Sequence, residues 1–153
     1  SKYPEKKVAI KYFRSKEDRD HSADLLNTRL IDPRFIAVLH TGSKEGSTFT
    51  DNTTAREFPY ALVMVPGKHS LQADLNPGHP LPDIRWAHRI SDIIACVKYM
   101  HNQHVVHCDL KPSNIVYFQE GTDNWPRLVD FEHSQVMGSK WTGSTPEVCA
   151  PEA

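Results

Sequence analysis

The chain has 153 residues, 39% of them hydrophobic and 24% charged, which is typical of a globular domain with one apolar core. Its 18 basic and 19 acidic residues give a formal charge of -1, so no general field attracts nucleic acid or anionic lipid. No apolar run approaches the roughly 18 residues of a membrane span, and no apolar signal core follows the charged N-terminus. We therefore expect a cytoplasmic or nuclear chain that binds no nucleic acid and has no membrane segment.

The first part of the chain predicts short strands and one helix. Residues 8–13 alternate in polarity as a half-buried strand does. Residues 16–30 begin with acidic side chains and continue with leucines at helical spacing, which predicts a helix. Residues 35–40 suit a short strand, and residues 41–55 are rich in Gly, Ser and Thr, which indicates a loop or hairpin turn. The continuous apolar run at 60–65 predicts a strand buried on both faces.

The second part predicts a long helix followed by short strands. Residues 67–82 contain several prolines and indicate a linker between two lobes. Asp83 precedes apolar residues at three- and four-residue spacing, which predicts an amphipathic helix of about five turns. The tail from Glu132 has little periodicity. Between the helix and the tail we expect three short strands, at residues 105–106, 115–118 and 127–129.

Residues 107–114 form the first segment that a purely structural explanation does not cover well. They read H-C-D-L-K-P-S-N and place a carboxylate, an ammonium group and an amide in one loop between two predicted strands. This segment resembles the H-R-D-L-K-x-x-N catalytic loop of protein kinases. Residues 8–11 (V-A-I-K), 130–132 (D-F-E) and 150–152 (A-P-E) resemble the V-A-I-K strand, the D-F-G turn and the A-P-E motif of that family, in the family's order. Four ordered motifs are difficult to obtain by chance.

The resemblance implies a fold and an organisation for the chain. It predicts a mixed α+β, protein-kinase-like two-lobe fold in truncated form. Residues 1–65 would be a portion of the β-rich N-lobe without its Gly-rich loop, and residues 66–82 would be the hinge and linker. Residues 83–153 would be the portion of the C-lobe with the catalytic loop and the activation segment. We expect a fragment of a longer kinase domain that is inactive by itself.

The same resemblance assigns roles to charged residues, with ATP and Mg²⁺ as cofactors. Asp109 would orient or deprotonate the acceptor hydroxyl, and Lys111 would stabilise charge on the transferred phosphoryl group. Asn114 and Asp130 would be oxygen ligands for Mg²⁺. Lys11 would neutralise the phosphates of ATP that are not transferred. Fixed charges suit this reaction, because phosphoryl transfer depends mainly on positioning and needs little covalent help from the protein.

The resemblance also implies an adenine site. Ala9 would line its roof and Val116 its floor, and the segment from Val65 to Gly67 would be the hinge whose backbone groups meet the base. Met64 would then be the gatekeeper residue beside the hinge. The alternative for Ala9, Met64 and Val116 is that they are ordinary core residues.

Two features favour serine and threonine acceptors on protein substrates. Lys111 matches a lysine of serine/threonine kinases that tyrosine kinases usually lack. Residues 143–147 (G-S-T-P-E) are similar to the G-T-P-E segment of serine/threonine kinases, with Thr145 at the position that supports the catalytic aspartate. We therefore expect the full-length protein to transfer phosphoryl groups from ATP to Ser and Thr hydroxyls of proteins.

Three positions depart from the family's pattern. Cys108 replaces the arginine that pairs with a phosphorylated activation segment, which predicts that this ion pair does not switch the protein. Glu132 replaces the glycine of D-F-G, which removes the freedom to take positive φ and adds a carboxylate near the metal. The acidic helix partner of Lys11 falls near Asp24, whose reach is shorter than that of glutamate. These departures leave open a pseudokinase, a binding or scaffolding module that transfers no phosphate.

A further alternative is a metal site formed by His101, His104, His107 and Cys108. Their close spacing resembles the ligand clusters of short His/Cys tracts. Against it, His101 and His104 are expected at a helix end, where histidines cap carbonyls or face water. By the resemblance, His107 instead braces the turn that carries Asp130.

Overall fold

A computed structural model gives the fold of the chain. The chain divides into two compact units, one formed by residues 1–31 and 36–66 and the other by residues 32–35 and 67–153. We refer to them as the N-terminal unit and the C-terminal unit. No helix of the described part is both long and apolar enough to cross a membrane. The described residues are 7–32, 34, 38–42, 49–50, 57–75, 83–120 and 123–139.

The N-terminal unit contains an antiparallel sheet and a separate strand pair. Its strands are β1 (Ala9–Phe13), β2 (Val38–Gly42), β3 (Phe49–Thr50), β4 (Glu57–Phe58) and β5 (Tyr60–Met64). Strand β5 lies between β1 and β2, and β3 pairs with β4. Ala61 and Leu62 point to opposite faces of β5 and are both buried, because this strand is central in its sheet. The strands predicted at 8–13 and 60–65 are therefore confirmed.

The segment between β1 and β5 matches its prediction in part. Residues 35–37 of the strand predicted at 35–40 lie outside the described residues, and β2 extends two residues further, to Gly42. The segment predicted as a loop or hairpin turn, 41–55, contains β3, which forms an antiparallel pair with β4. Backbone pairing therefore reaches into a segment whose composition indicated only a turn.

A capped helix follows β1. Helix α1 (Lys16–Asp24) begins after Ser15, whose Oγ accepts the Asp18 N–H at 3.2 Å, and acidic residues in its first turn favour the positive end of the helix dipole. The helix continues as a π-helical turn over Leu25–Arg29, closed by the bond from the Leu30 N–H to the Leu25 carbonyl at 2.8 Å. The helix predicted at 16–30 is confirmed in extent. The change from α to π geometry was not predicted.

The core of the N-terminal unit joins the helix to the sheet. Phe13 of β1, Ala23 of α1 and Leu62 of β5 form a buried cluster. Tyr60 and Met64, also on β5, pack against it while partly buried. Met64 is thus a neighbour of this core, as the ordinary core interpretation of that residue expects.

The C-terminal unit combines a long helix with two small sheets. The strands β6, β8 and β9 form one sheet in that order, and β7 pairs with β10 in the other. The helix α3 confirms the predicted five-turn helix and buries Cys96 and Met100, whereas Ile90 and Ile94 of the predicted apolar stripe are exposed. The elements are β6 (His69–Ser70), α2 (Leu71–Asp74), α3 (Asp83–Asn102), β7 (Val105–Val106), β8 (Ile115–Glu120), β9 (Asp123–Leu128) and β10 (Gln135–Val136).

The segment predicted as a linker, 67–82, contains two short elements, β6 and α2, at residues 69–74. This segment pairs with strand β8: His69 lies opposite Tyr117, and the Lys68 N–H donates to the Tyr117 carbonyl at 2.8 Å. A strand of two residues cannot be recognised from composition, because the strand with which it pairs lies far along the chain. Residues 76–82 of the predicted linker lie outside the described part.

A polar cluster ties these elements together. Asp74 of α2 accepts a hydrogen bond from Arg89 of α3 and lies 3.3 Å from Nε2 of His69. The Arg89 guanidinium lies 4.3 Å from the ring centroid of Tyr117, and the His69 ring stacks on the same ring at 5.0 Å. Because Tyr117 is 1% exposed, the cluster fixes β6, α2 and α3 around the middle of β8.

Arg34 explains why residues 32–35 belong to the C-terminal unit. Its guanidinium forms a bidentate pair with Asp32 and lies 5.0 Å from the ring centroid of Tyr99 on α3. It also donates to the carbonyl of Ala95 at 3.5 Å. The Asp32 carboxylate in turn raises the pKa of Arg34, and the guanidinium lowers the pKa of Asp32.

Gly67 approaches β8 so closely that no side chain fits. A Cβ at this position would overlap Cγ1 of Val116 and lie 3.3 Å from Cζ of Phe118. We predict that Gly67→Ala lowers the free energy of unfolding by about 1–3 kcal/mol, measured by urea denaturation of the protein. In a Val116→Ala background the same change should cost less, because the overlapping methyl group is gone. Strict additivity of the two substitutions would contradict this explanation.

Candidate active site

The segment 107–114 is a loop held at both ends by strand pairing. It leaves β7, which pairs with β10 through Val106 and Gln135, and it enters β8 through a 3₁₀ turn at Pro112–Asn114. Proline suits the first position of such a turn for two reasons. The backbone N–H that it lacks is not needed there, and its fixed φ already matches the turn. The loop is therefore short and anchored, as precise placement of side chains requires.

His107 connects this loop to the segment after β9. Its Nδ1 accepts the Asp109 N–H at 3.3 Å, so Nε2 carries the proton and donates to the carbonyl of Val129 at 3.0 Å. The ring is 4% exposed and packs against Phe131, with a centroid distance of 5.3 Å. Burial lowers the pKa of His107, which keeps the ring neutral and preserves this tautomer. The bracing role that the resemblance implied for His107 agrees with these contacts.

The hydrogen bonds of the His107 ring to Asp109 and Val129 form a bridge between two backbone segments. Two residues beside this bridge have left-handed backbone. Cys108 has a φ of 61° and Asp130 a φ of 69°. Each costs about 1–2 kcal/mol relative to ordinary backbone, and such residues persist only where surrounding contacts hold them. The bond from the Val129 N–H to the Asn114 carbonyl at 2.9 Å, together with the His107 bond to Val129, fixes the backbone that leads into Asp130.

The side chains of Asp109, Lys111 and Asn114 converge. The Asp109 carboxylate is buried, and its Oδ2 lies 2.8 Å from Lys111 Nζ and accepts from Asn114 Nδ2 at 3.0 Å. The same amide nitrogen also donates to the Asp109 carbonyl at 2.9 Å. A buried carboxylate that is paired with an ammonium group and accepts from an amide is fixed in direction.

Asn114 and Asp130 have the chemistry of Mg²⁺ ligands. The amide nitrogen of Asn114 is engaged with Asp109, so its oxygen is the atom of this side chain that suits a hard cation. The backbone bond between Val129 and Asn114 brings the chain at Asp130 to the same end of β8. Mg²⁺ is commonly held by one or two protein oxygens together with substrate phosphates, so this small donor set fits the ion.

Glu132 does not strain the turn that it occupies. Of the described residues other than glycine, those with positive φ are His104, Cys108 and Asp130, so position 132 needs no glycine here. The turn is closed instead by the Ser134 N–H, which donates to the Phe131 carbonyl at 3.1 Å. Glu132 therefore has no conformational cost in this turn. The other expected effect of replacing glycine, an added negative charge, remains.

The other predicted site residues lie in both units. Ala9, Lys11 and Val65 are half-buried in the N-terminal unit, where Lys11 Nζ lies 4.8 Å from the ring centroid of Phe13. Asp24 is exposed at the end of α1. In the C-terminal unit, Gly67 contacts the half-buried Val116, the predicted adenine floor. Thr145 and the motif at 150–152 lie outside the described residues.

The alternative metal site is wrong. Among the residues that the structure describes, no group of three or more His, Cys, Asp and Glu side chains could hold a metal ion. His101 and His104 are exposed at the end of α3, where His104 has a φ of 56° and donates its N–H to the His101 carbonyl. His107 and Cys108 are used in the loop contacts described above. The residues 101–108 therefore serve the helix end and the loop.

Comparison with known proteins decides the family. A family model of the protein kinase domain matches residues 2–153. This chain belongs to the protein kinase family. The match confirms the predicted α+β, kinase-like fold class, and a kinase domain implies ATP and, typically, Mg²⁺.

Relatives of this kinase chain are named as kinases, and some of them as serine/threonine kinases. It is 34% identical over 67 residues to serine/threonine-protein kinase dkf-2 of Caenorhabditis briggsae, covering 41% of this chain and 6% of that protein. It is 36% identical over 72 residues to calcium/calmodulin-dependent protein kinase type IV of Homo sapiens, covering 43% and 15%. A probable serine/threonine-protein kinase HAL5-like of Eremothecium gossypii is 47% identical over 45 residues, covering 29% and 6%. The matched segment is thus a small part of each of these relatives.

The buried neutral ring of His107 predicts a loss of stability in acid. Its pKa is lowered below the ordinary 6.5, so its contribution to stability is present above about pH 6.5 and is lost as the pH falls through the folded-state pKa. We expect the free energy of unfolding to fall between pH 7 and 5 by up to about 1.4 kcal/mol per pH unit more in the unmodified protein than in His107→Gln. Denaturant unfolding at each pH measures it.

The matched control is His133→Gln, because His133 is exposed in the same part of the chain. This variant should keep the pH dependence of the unmodified protein. An unchanged pH dependence in His107→Gln would show that His107 does not fold as a neutral ring.

Proposed function

We propose that the full-length protein transfers the terminal phosphoryl group of ATP to serine and threonine hydroxyls of protein substrates. The observation that carries this proposal is the buried Asp109 carboxylate, directed by Lys111 at 2.8 Å and Asn114 at 3.0 Å in a loop anchored at both ends. This arrangement supplies a fixed hydrogen-bond acceptor beside a fixed positive charge. In-line phosphoryl transfer needs both, because it depends on positioning and on charge stabilisation.

Each residue of the loop has a distinct part in this proposal. Asp109 accepts the hydrogen bond of the acceptor hydroxyl and orients its oxygen towards the phosphorus. Lys111 neutralises charge that moves onto the transferred group. Asn114 both directs Asp109 through its nitrogen and, with Asp130, offers oxygen to the metal. When bound, Mg²⁺ neutralises charge on the phosphates of ATP. Lys11 keeps the role of a phosphate partner as a prediction from the resemblance.

Two observations favour catalysis over the pseudokinase alternative. The relatives found by comparison are named as kinases, two of them as serine/threonine kinases. Glu132, one of the departures that favoured the alternative, occupies its turn without a positive φ. Lys111 on the Asp109 carboxylate also supports Ser and Thr acceptors, as the sequence resemblance implied.

Phosphate transfer by the full-length protein tests the proposal. With radiolabelled ATP, Mg²⁺ and a generic basic protein, we expect transfer that falls by at least about 10²-fold in Asp109→Asn, because the amide cannot accept the hydroxyl proton. Asp18→Asn is the control, since Asp18 is exposed on α1, and it should keep full activity. Transfer that is absent in folded unmodified protein would reject the proposal in favour of a pseudokinase.

Cys108 predicts how this kinase responds to phosphorylation of residues 139–145. Its thiol lies 3.7 Å from the Val106 carbonyl, and burial raises the pKa of Cys108, so this side chain supplies no positive charge for a phosphate group. We expect phosphorylation there to leave the activity of the unmodified protein unchanged and to raise that of Cys108→Arg, where an ion pair becomes available. Transfer rates before and after treatment with an activating kinase measure it. An equal gain in both proteins would contradict the prediction.

A further inference from the structure

Ser134 is buried directly behind the catalytic loop. Its side chain is 0% exposed, and its Oγ donates to the carbonyl of His107 at 3.2 Å. Its own N–H closes the turn from Phe131 at 3.1 Å. The next residue, Gln135, begins β10 and pairs with Val106, immediately before His107. Ser134 is therefore placed rigidly from both sides, with its hydroxyl aimed at one peptide group of the loop.

That peptide group controls the backbone conformation of Cys108. The His107 carbonyl belongs to the peptide plane that turns when φ of Cys108 changes, and this φ is 61°. If Cys108 relaxed to negative φ, the carbonyl would turn away from Ser134 or Asp109 would be displaced. The hydrogen bond from Ser134 to the His107 carbonyl thus forms when Cys108 is left-handed. In this same conformation the Asp109 carboxylate contacts Lys111 and Asn114.

The other contacts of His107 hold different atoms. Its ring bonds to the Val129 carbonyl and to the Asp109 N–H. These two bonds hold the His107 side chain and the peptide group that follows Cys108. Pairing of Val106 with Gln135 fixes the chain up to the residue before His107. The carbonyl of His107 is held by the hydroxyl of Ser134. A polar backbone group in a buried place needs such a partner, so its loss has consequences for the conformation.

We propose that Ser134 is a positioning residue, which holds Cys108 in its left-handed conformation and so places the Asp109 carboxylate for phosphoryl transfer. This inference rests on the proposed kinase function for its effect on catalysis. Its structural part concerns this chain alone. Sequence reasoning gave no weight to Ser134, because serines are common in polar segments of this kind.

The experiment compares Ser134→Ala in two backgrounds of the full-length protein. In the unmodified background we expect kcat to fall about tenfold with the KM for ATP unchanged, because one hydrogen bond that selects the active conformation is lost. In a Cys108→Gly background the additional loss should be under about threefold, since glycine takes positive φ without strain. Ser139→Ala is the matched control, because Ser139 is exposed after β10, and its kcat should be unchanged.

Amide hydrogen exchange at Asp109, measured by NMR, gives a readout that is independent of activity. We expect it to accelerate in Ser134→Ala and not in Ser139→Ala, because the Asp109 N–H is bonded to His107 within the same loop. Unchanged exchange, or an equal loss of kcat in both backgrounds, would overturn the inference. If the unmodified protein transferred no phosphate while exchange still accelerated, the proposed function would fail and the role of Ser134 in placing Asp109 would stand.

Discussion

The site depends on the buried imidazole of His107. One ring nitrogen accepts the Asp109 N–H and the other donates to the Val129 carbonyl, so a single side chain fixes the two backbone segments that carry Asp109 and Asp130. A hydrogen bond contributes about 1 kcal/mol and a left-handed residue costs about 1–2 kcal/mol, so no one contact can hold the strained backbone at these positions. Several contacts of modest strength must act together, and His107 takes part in most of them.

This bridge lies between Asp109 and Asp130, two carboxylates for which we propose different tasks. Asp109 is paired with Lys111 and directed by Asn114, which suits the role that we propose for it, the orientation of an acceptor hydroxyl. Asp130, which is itself in left-handed conformation, lies on the other side of the bridge, near the end of β8 where Asn114 has its amide oxygen.

Much of the fold could be predicted from the sequence where the signal is local. The apolar run of β5 and the helical spacing of α3 are properties of contiguous residues, and both elements are as expected. β6 was missed because it forms by pairing with Tyr117 and Val116 of β8, which lie far along the chain, where local composition carries no information about it. The π-helical turn over Leu25–Arg29 likewise follows from packing of its buried leucines.

The candidate site was predictable in its residues and not in its geometry. The order of the four motifs identified Asp109, Lys111, Asn114 and Asp130, because residue type and spacing are visible in the sequence. The left-handed conformation of Cys108 was not visible, since cysteine has no preference for positive φ. Ser134 carried no signal, because only the buried contact with the His107 carbonyl distinguishes it from other serines. Glu132 was judged by the glycine that it replaces and not by the backbone that it adopts.

The separation of tasks between Asp109 and Asp130 is tested most directly by the affinity for ATP, measured by calorimetric titration with and without Mg²⁺. The account predicts that Mg²⁺ strengthens ATP binding in the unmodified protein and in Asp109→Asn, and that this gain disappears in Asp130→Asn. A gain that survives in Asp130→Asn, or that is lost in Asp109→Asn, would contradict it, because the metal would then depend on the other carboxylate.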